Sequence, residues 1–308
     1  MSAYQHSFRV LLAVVLVAIG SAWSDARAEA WVSDKGSLDF DLVYNLGKSD
    51  KVIGTGSLEF PDSGTTTHQL TLGAEYVPIE HLAVDVGVPL GMFKYTGNKT
   101  MYPHPGGGSY DDGSLHTTLT DLRAGARYQL LEDPIAVTPL LAVSIPLASY
   151  ETIGNTVAGR HLKALHVGVA IGRLITDALY AELTYEFGIV EKYDRTVETA
   201  RQGQNTSDGV LTLGYKFPGN RFDVHLGGNV HITHGGVDFT ELVGGTLSPN
   251  EGLYHDAILR ENQFLVGGGV GYQVTEALSL SLAARVFVSG ANTQNASVYV
   301  LEAGWSAL

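Results

Sequence analysis

Apolar and polar residues alternate with a period of two along most of the chain from Gly36 to Trp305. Leu70, Leu72, Ala74 and Tyr76 interleave with Gln69, Thr71, Gly73 and Glu75, and Leu179, Ala181, Leu183, Tyr185 and Phe187 interleave with Tyr180, Glu182, Thr184 and Glu186. Successive side chains of a β-strand point to opposite faces, so each run predicts a strand with one apolar face. The pattern places strands over 36–47, 65–76, 82–95, 116–130, 135–150 and 161–173, then over 178–190, 207–217, 221–235, 261–273, 278–290 and 297–307. Connections alternate as well. Short ones fall at 77–81, 131–134, 174–177, 218–220 and 274–277; longer, polar, glycine-rich ones fall at 48–64, 96–115, 151–160, 191–206, 236–260 and 291–296. A soluble sandwich accounts for the first alternation and gives no reason for the second. An all-β, antiparallel up-and-down transmembrane β-barrel of about 12 strands accounts for both.

The first residues add a compartment. Arg9 precedes an apolar run from Val10 to Gly20, and Ala26-Arg27-Ala28 offers small residues where a signal peptidase reads. Residues 1–28 are therefore expected to be a cleavable signal peptide cut before Glu29, leaving 29–308 as the barrel. A spanning helix needs about 20 apolar residues, more than this run supplies. No later stretch is long and apolar enough, and a chain that crosses a bilayer without helices must close its strands into a barrel. Export and a barrel together predict a Gram-negative outer membrane, with both termini periplasmic. The expected partners are outer-membrane lipid, lipopolysaccharide and the outer-membrane assembly machinery.

Charge and composition mainly exclude. Removing Arg9, Arg27 and Asp25 with the signal takes the 19 Lys+Arg and 32 Asp+Glu to 17 and 31, a net charge of −14, which argues against nucleic acid as a partner. With no cysteine there is no disulfide framework, thiolate metal site or Cys nucleophile. No cofactor is indicated.

Barrel geometry decides whether the interior could conduct. Twelve strands about 4.8 Å apart and tilted by about 40° give a backbone diameter near 24 Å and, after side chains, a lumen of about 10 to 14 Å. Gly267, Gly269 and Gly271 share one parity, as do Ser279, Ser281 and Ala283, and His166, Gly168, Ala170 and Gly172. Small inward residues predict an open, water-filled lumen unless a loop folds in.

Parity also selects the inward charges. Asp39, Asp41, Glu75, Asp85, Asp121, Glu182, Glu186, Asp223 and Glu302 face in, with Arg123, Arg127, Lys216 and Arg285, so nine acids meet four bases and an open lumen should favour cations or neutral polar solutes. Charges that only solvate and cross-brace the wall are the structural alternative. Reflection through the connections sets Arg285 opposite Glu302, Lys216 opposite Asp223 and His166 opposite Glu186. Arg123 and Arg127 lack an acid in their own hairpin and are expected to contact solute. His225 and His231 complete the set of lumen and selectivity candidates. With His234 they resemble a metal cluster, yet on one strand His225 and His231 lie about 20 Å apart and His234 points to the other face. Gly267-Gly268-Gly269-Val270-Gly271 is a glycine-rich strand, not a phosphate loop, because Tyr272 follows and no helix does. No nucleophile signature such as G-x-S-x-G is present.

Outward parity gives the bilayer contacts. Tyr44, Tyr76, Tyr128, Tyr215, Phe217, Phe222, Tyr272 and Trp305 lie near strand ends, where aromatic girdles sit. Asp111 and Asp112 in the second long connection are candidates for divalent ions bridging lipopolysaccharide.

Several stretches resemble the outer-membrane proteins grouped as the "MetA-pathway of phenol degradation" family. They are Thr120-Asp121-Leu122-Arg123-Ala124-Gly125-Ala126-Arg127-Tyr128 ahead of a Leu-Glu-Asp-Pro turn, Ser144-Ile145-Pro146-Leu147, Thr176-Asp177-Ala178-Leu179-Tyr180 and Gly271 through Leu280. The resemblance covers most of the chain from about residue 116 onward. It implies passage of small aromatic or other hydrophobic compounds across the outer membrane and no catalytic residues. The expected function is thus a channel for passive diffusion of small solutes, not an enzyme. Two other classes stay open: an outer-membrane lipid hydrolase, which needs a Ser and a His converging on one wall, and a non-conducting structural or adhesive barrel plugged by 236–260 or 96–115.

Overall fold

The structure is a computed structural model that describes residues 29–56, 58–97, 110–150, 152–154, 156–192, 203–219, 221–243 and 254–307. The barrel begins with β1 (Leu38–Lys48), β4 (Thr65–Ile79), β5 (Leu82–Tyr95), the pair β6 (His116–Leu119) and β7 (Asp121–Tyr128), β8 (Ala136–Pro146) and β9 (Ala164–Leu174). It continues through β10 (Leu179–Val190), β11 (Asn205–Lys216), β12 (Phe222–His234), β13 (Asn262–Gln273), β14 (Leu278–Ala291) and β16 (Ser297–Ser306). β6 and β7 both pair with β5 and act as one strand broken at Thr120, which gives twelve antiparallel barrel strands. β1 pairs with β16, from Asp39 opposite Ser306 to Lys48 opposite Ser297, so the two ends of the chain close the ring and leave no edge. A separate small sheet at the long-loop end joins β2 (Lys51–Ile53), β3 (Glu59–Pro61) and β15 (Thr293–Gln294).

The predicted parity holds on the outside. Leu226 is 70% exposed, Leu72 61% and Leu282 56%, with many other Leu, Val and Ile residues exposed around the ring. So large a continuous apolar surface is unlike that of a water-soluble monomer and suits a bilayer. Tyr76, Tyr128, Tyr215, Phe217, Phe222, Tyr272 and Trp305 form an exposed band at the ends joined by short turns. Phe217 bridges the band, 5.1 Å from Tyr215 and 5.2 Å from Phe222 between ring centroids. Tyr44 lies toward the other end, its hydroxyl 2.7 Å from His68 Nδ1.

The inward face departs from expectation. The small residues do not leave free space: a Cβ on Gly73 would lie 2.1 Å from the Asp41 carboxylate, on Gly271 2.1 Å from that of Asp223, on Gly214 2.0 Å from the Tyr180 ring and on Gly172 2.4 Å from Trp31. Each glycine seats a larger side chain that lies across it.

Candidate functional site

The charged side chains of the lumen form pairs that reach across strands. Arg127 on β7 meets Glu75 on β4 at 2.8 Å, and Arg123, two inward positions along β7 with Gly125 between them, meets Glu186 on β10 at 2.8 Å. Both arginines are thus engaged by acids outside their own hairpin. Glu186 also has His166 Nδ1 at 3.6 Å, while His166 Nε2 lies 2.9 Å from Ser144 Oγ. Further along the wall His231 Nδ1 lies 2.6 Å from Asp208, and His225 Nδ1 lies 3.6 Å from Asp223. The two histidines therefore have separate acid neighbours. Asp121 accepts a hydrogen bond from the Tyr150 hydroxyl.

Two of the predicted pairings shift. Glu302 stands opposite Ser281, and Arg285 opposite Gly267 and Val298. The reflection fails because β14 runs past β16 and Thr293–Gln294 leave the hairpin axis to join β2. His166 stands opposite Gly188, two positions from Glu186, so the contact is diagonal on one face. Lys216 does stand opposite Asp223, with its ammonium 5.7 Å from the centre of the Tyr180 ring.

The sequence pattern missed the segment that narrows one end. Gly36, at φ +93, turns the chain inward before β1, a conformation that favours glycine. Residues 29–34 then cross the mouth at the short-turn end. The Ala30 N–H donates to Glu182 at 3.2 Å, the Thr138 hydroxyl donates to the Ala30 carbonyl at 2.7 Å, and the Val32 N–H donates to Gln129 at 2.9 Å. Trp31 packs on Ala30, Ala136 and Ala170, and Ala30 is fully buried. The segment hugs β8–β10 and leaves a cavity of about 330 Å³ against Ser279, Glu302 and Gly304. Glu29 also borders a smaller cavity of about 60 Å³ beside Glu75, Arg123 and Arg127. Residues 29–34 carry no alternation of apolar and polar positions, Ala30, Trp31 and Val32 being consecutive, so periodicity does not mark them.

The long-loop end is covered differently. Two short helices, α1 (Phe239–Val243) and α2 (His255–Ile258), fold over it. Val52, Leu162, Val237, Phe239, Ile258 and Leu259 form a buried cluster, with the rings of Phe60 and Phe239 centred 5.2 Å apart. Asp238 ties this cap: it accepts hydrogen bonds from Thr55 at 2.6 Å, from the Thr240 N–H at 3.1 Å and hydroxyl at 3.0 Å, and from Arg260 at 2.8 Å. Burial pushes the Asp238 carboxyl up, but these donors outweigh it and hold the pKa at about 2. Beneath the cap a cavity of about 320 Å³ is lined by Arg160, Glu261, Gln263, Phe93 and Phe239.

Of the remaining expectations, residues 1–28 and 98–109 lie outside the described residues. Asp111 is buried, and the Asp112 carboxyl is held below its ordinary pKa by a hydrogen bond with His116 and then by the Ser114 N–H. Among the described residues no group of three His, Asp or Glu side chains could hold a metal. The sequence pattern does not mark Asp208, Arg160 and Glu261, which join these contacts and cavities. Asp208 shares the parity of Lys216, eight residues later, and could have been read from it.

No family model matches the chain, and no curated protein matches it. Solved structures do. An outer membrane channel from Pseudomonas putida F1 is 12% identical, with 92% of this chain and 99% of that one covered and a TM-score of 0.70. The NanC porin is 9% identical, with 86% and 98% covered and a TM-score of 0.52. The translocator domain of the autotransporter NalP from Neisseria meningitidis is 12% identical, with 99% and 96% covered and a TM-score of 0.51. At these identities the likeness is one of fold, and it places the chain among closed barrels of the outer-membrane type.

Proposed function

We propose that the protein is an outer-membrane channel for passive diffusion of small solutes, with both termini periplasmic, and not an enzyme. The observation that carries this reading is a closed ring of twelve strands, apolar outside and lined inside by ion pairs and polar cavities at both ends. The likeness to the Pseudomonas putida channel supports it. Solute would cross past the 29–34 segment, beside the cavity of about 330 Å³ at Glu302. Small aromatic or other hydrophobic compounds are the proposed cargo, on the resemblance to the phenol-degradation family. Phe93 and Phe239, which border the outer cavity beside Arg160 and Glu261, suit a ring that carries a polar group. The test is single-channel conductance of the refolded chain 29–308 in a planar bilayer under a salt gradient, with small phenols as blockers. Discrete steps of small amplitude, cation preference and phenol block are expected; silence from a folded barrel removes the channel.

A second reading rests on Ser144, His166 and Glu186, which stand in the order of a nucleophile, base and acid across three strands. The His166 to Glu186 distance of 3.6 Å exceeds a hydrogen bond, and Arg123 holds that carboxylate, so the bracing role is favoured. A fluorophosphonate probe that labels the wild type and not Ser144→Ala would reverse this preference.

A further inference from the structure

Glu182 is a buried carboxylate served by main chain. The N–H groups of both Glu29 and Ala30 donate to it. The cation whose field reaches it, Arg127, is bonded to Glu75, and the Glu29 side-chain carboxylate adds repulsion. Glu75 and Glu186, likewise buried, stand in the same part of the lumen, facing Arg127 and Arg123. Taking a carboxylate out of water without a bonded cation is costly, and two amide donors offset only part of that cost.

We propose that the counter-ion of Glu182 is the α-ammonium of Glu29, created when the exported chain is cut between Ala28 and Glu29, so that maturation itself fastens the lumen segment. The inference rests on the export-signal reading and is independent of whether the barrel conducts. In the cut, water adds across the Ala28–Glu29 amide: hydroxyl goes to the Ala28 carbonyl carbon, hydrogen goes to the Glu29 nitrogen, and the amine takes a further proton from solvent. The nitrogen that donates one N–H to Glu182 in the precursor becomes an ammonium with three donors at the same place. A charge-assisted hydrogen bond of this kind is about twice as strong as a neutral one. The position is specific. A cut before Ala28 or after Ala30 would carry the charge past Glu182, whereas the Thr138 and Gln129 contacts fix the segment so that the nitrogens of Glu29 and Ala30 arrive there, and of these the cut between Ala28 and Glu29 makes the Glu29 nitrogen the ammonium.

The experiment begins with the protein from native outer membranes, whose first residue is read by mass spectrometry. The α-amine is then acylated with an amine-reactive ester across a pH series, folded and unfolded. An α-amine paired with a carboxylate stays protonated to higher pH, and each unit of upward pKa shift slows acylation about tenfold. The expected result is a chain beginning at Glu29 whose α-amine reacts at least about tenfold more slowly when folded. Its pH midpoint should be raised in the wild type and return toward normal in Glu182→Gln. Should that variant not fold, the wild-type barrel extended by Gly-Ser before Glu29 serves instead: its displaced amine should show the ordinary midpoint. A chain that starts elsewhere, a midpoint equal in folded and unfolded protein, or a raised midpoint that survives Glu182→Gln or the extension overturns the proposal. A silent barrel with a raised midpoint would sink the channel reading and leave this one standing.

Discussion

The two ends of the lumen are narrowed by different chemistry. At the short-turn end, residues 29–34 are held by a few directional hydrogen bonds, donated to Glu182 and Gln129 and accepted from Thr138, with Trp31 laid over Gly172. At the long-loop end, Phe239, Val237, Ile258 and their neighbours bury a common apolar cluster tied by Asp238. A hydrogen bond is individually worth about 1 kcal/mol, and about 1.5–3 kcal/mol to a charged group such as the Glu182 carboxylate, whereas a buried aromatic is worth about 3–5 kcal/mol. The first closure is therefore the one that charge, pH or a competing solute can move, and the second behaves as a fixed part of the fold.

That contrast can be broken in order of expected effect. Deleting residues 29–34 should raise single-channel conductance several-fold, because it clears the constriction and leaves the cap intact; an unchanged conductance would mean that the cap, and not the segment, limits flow. Gly172→Leu should act in the same direction but less strongly. Its side chain would occupy the place of Trp31, already 2.4 Å from a bare Cβ, and Trp31 emission should shift toward that of a hydrated indole. Phe239→Ala should cost the cap about 3–5 kcal/mol, read as faster proteolysis within 236–260, while the heat resistance of the barrel and its conductance change little. A larger conductance gain from Phe239→Ala than from the deletion would invert the comparison.

The pH response separates the ends further. Asp238 is depressed, so its contribution to the cap is fully present above the ordinary carboxylate pKa and is lost as pH falls through about 2. Cap proteolysis should thus quicken only between about pH 4 and pH 2, and Asp238→Asn should remove that step. The smallest effect is expected from Glu182→Gln with Glu186→Gln, which should move the reversal potential toward zero by removing two of the inward acids. An unmoved potential would show that these acids only brace the wall.

Much of this was legible in advance, and the reason is local. A strand of a membrane barrel must show lipid one face and the interior the other, so β4, β5, β10 and the aromatic band at Tyr128, Tyr215 and Trp305 follow from parity alone. Pairing across a short turn was also readable, as Lys216 opposite Asp223 shows. Pairing across a long connection was not: Arg285 and Glu302 were misaligned because the 291–296 connection gives two residues to another sheet. The bonds of Arg123 to Glu186 and Arg127 to Glu75 join strands that are not neighbours, so no register could reveal them.

The sequence by itself thus determined the barrel, its strand number, its apolar outside and its acidic inside, since alternation at period two is written residue by residue. Tertiary structure alone decided what the inside does with its space. Inward glycines read in isolation as gaps; in the closed ring they are the seats of Tyr180, Asp223, Asp41 and Trp31. Which side chain lies across which glycine depends on strand register and on a segment entering from outside the sheet, and a one-dimensional pattern carries neither.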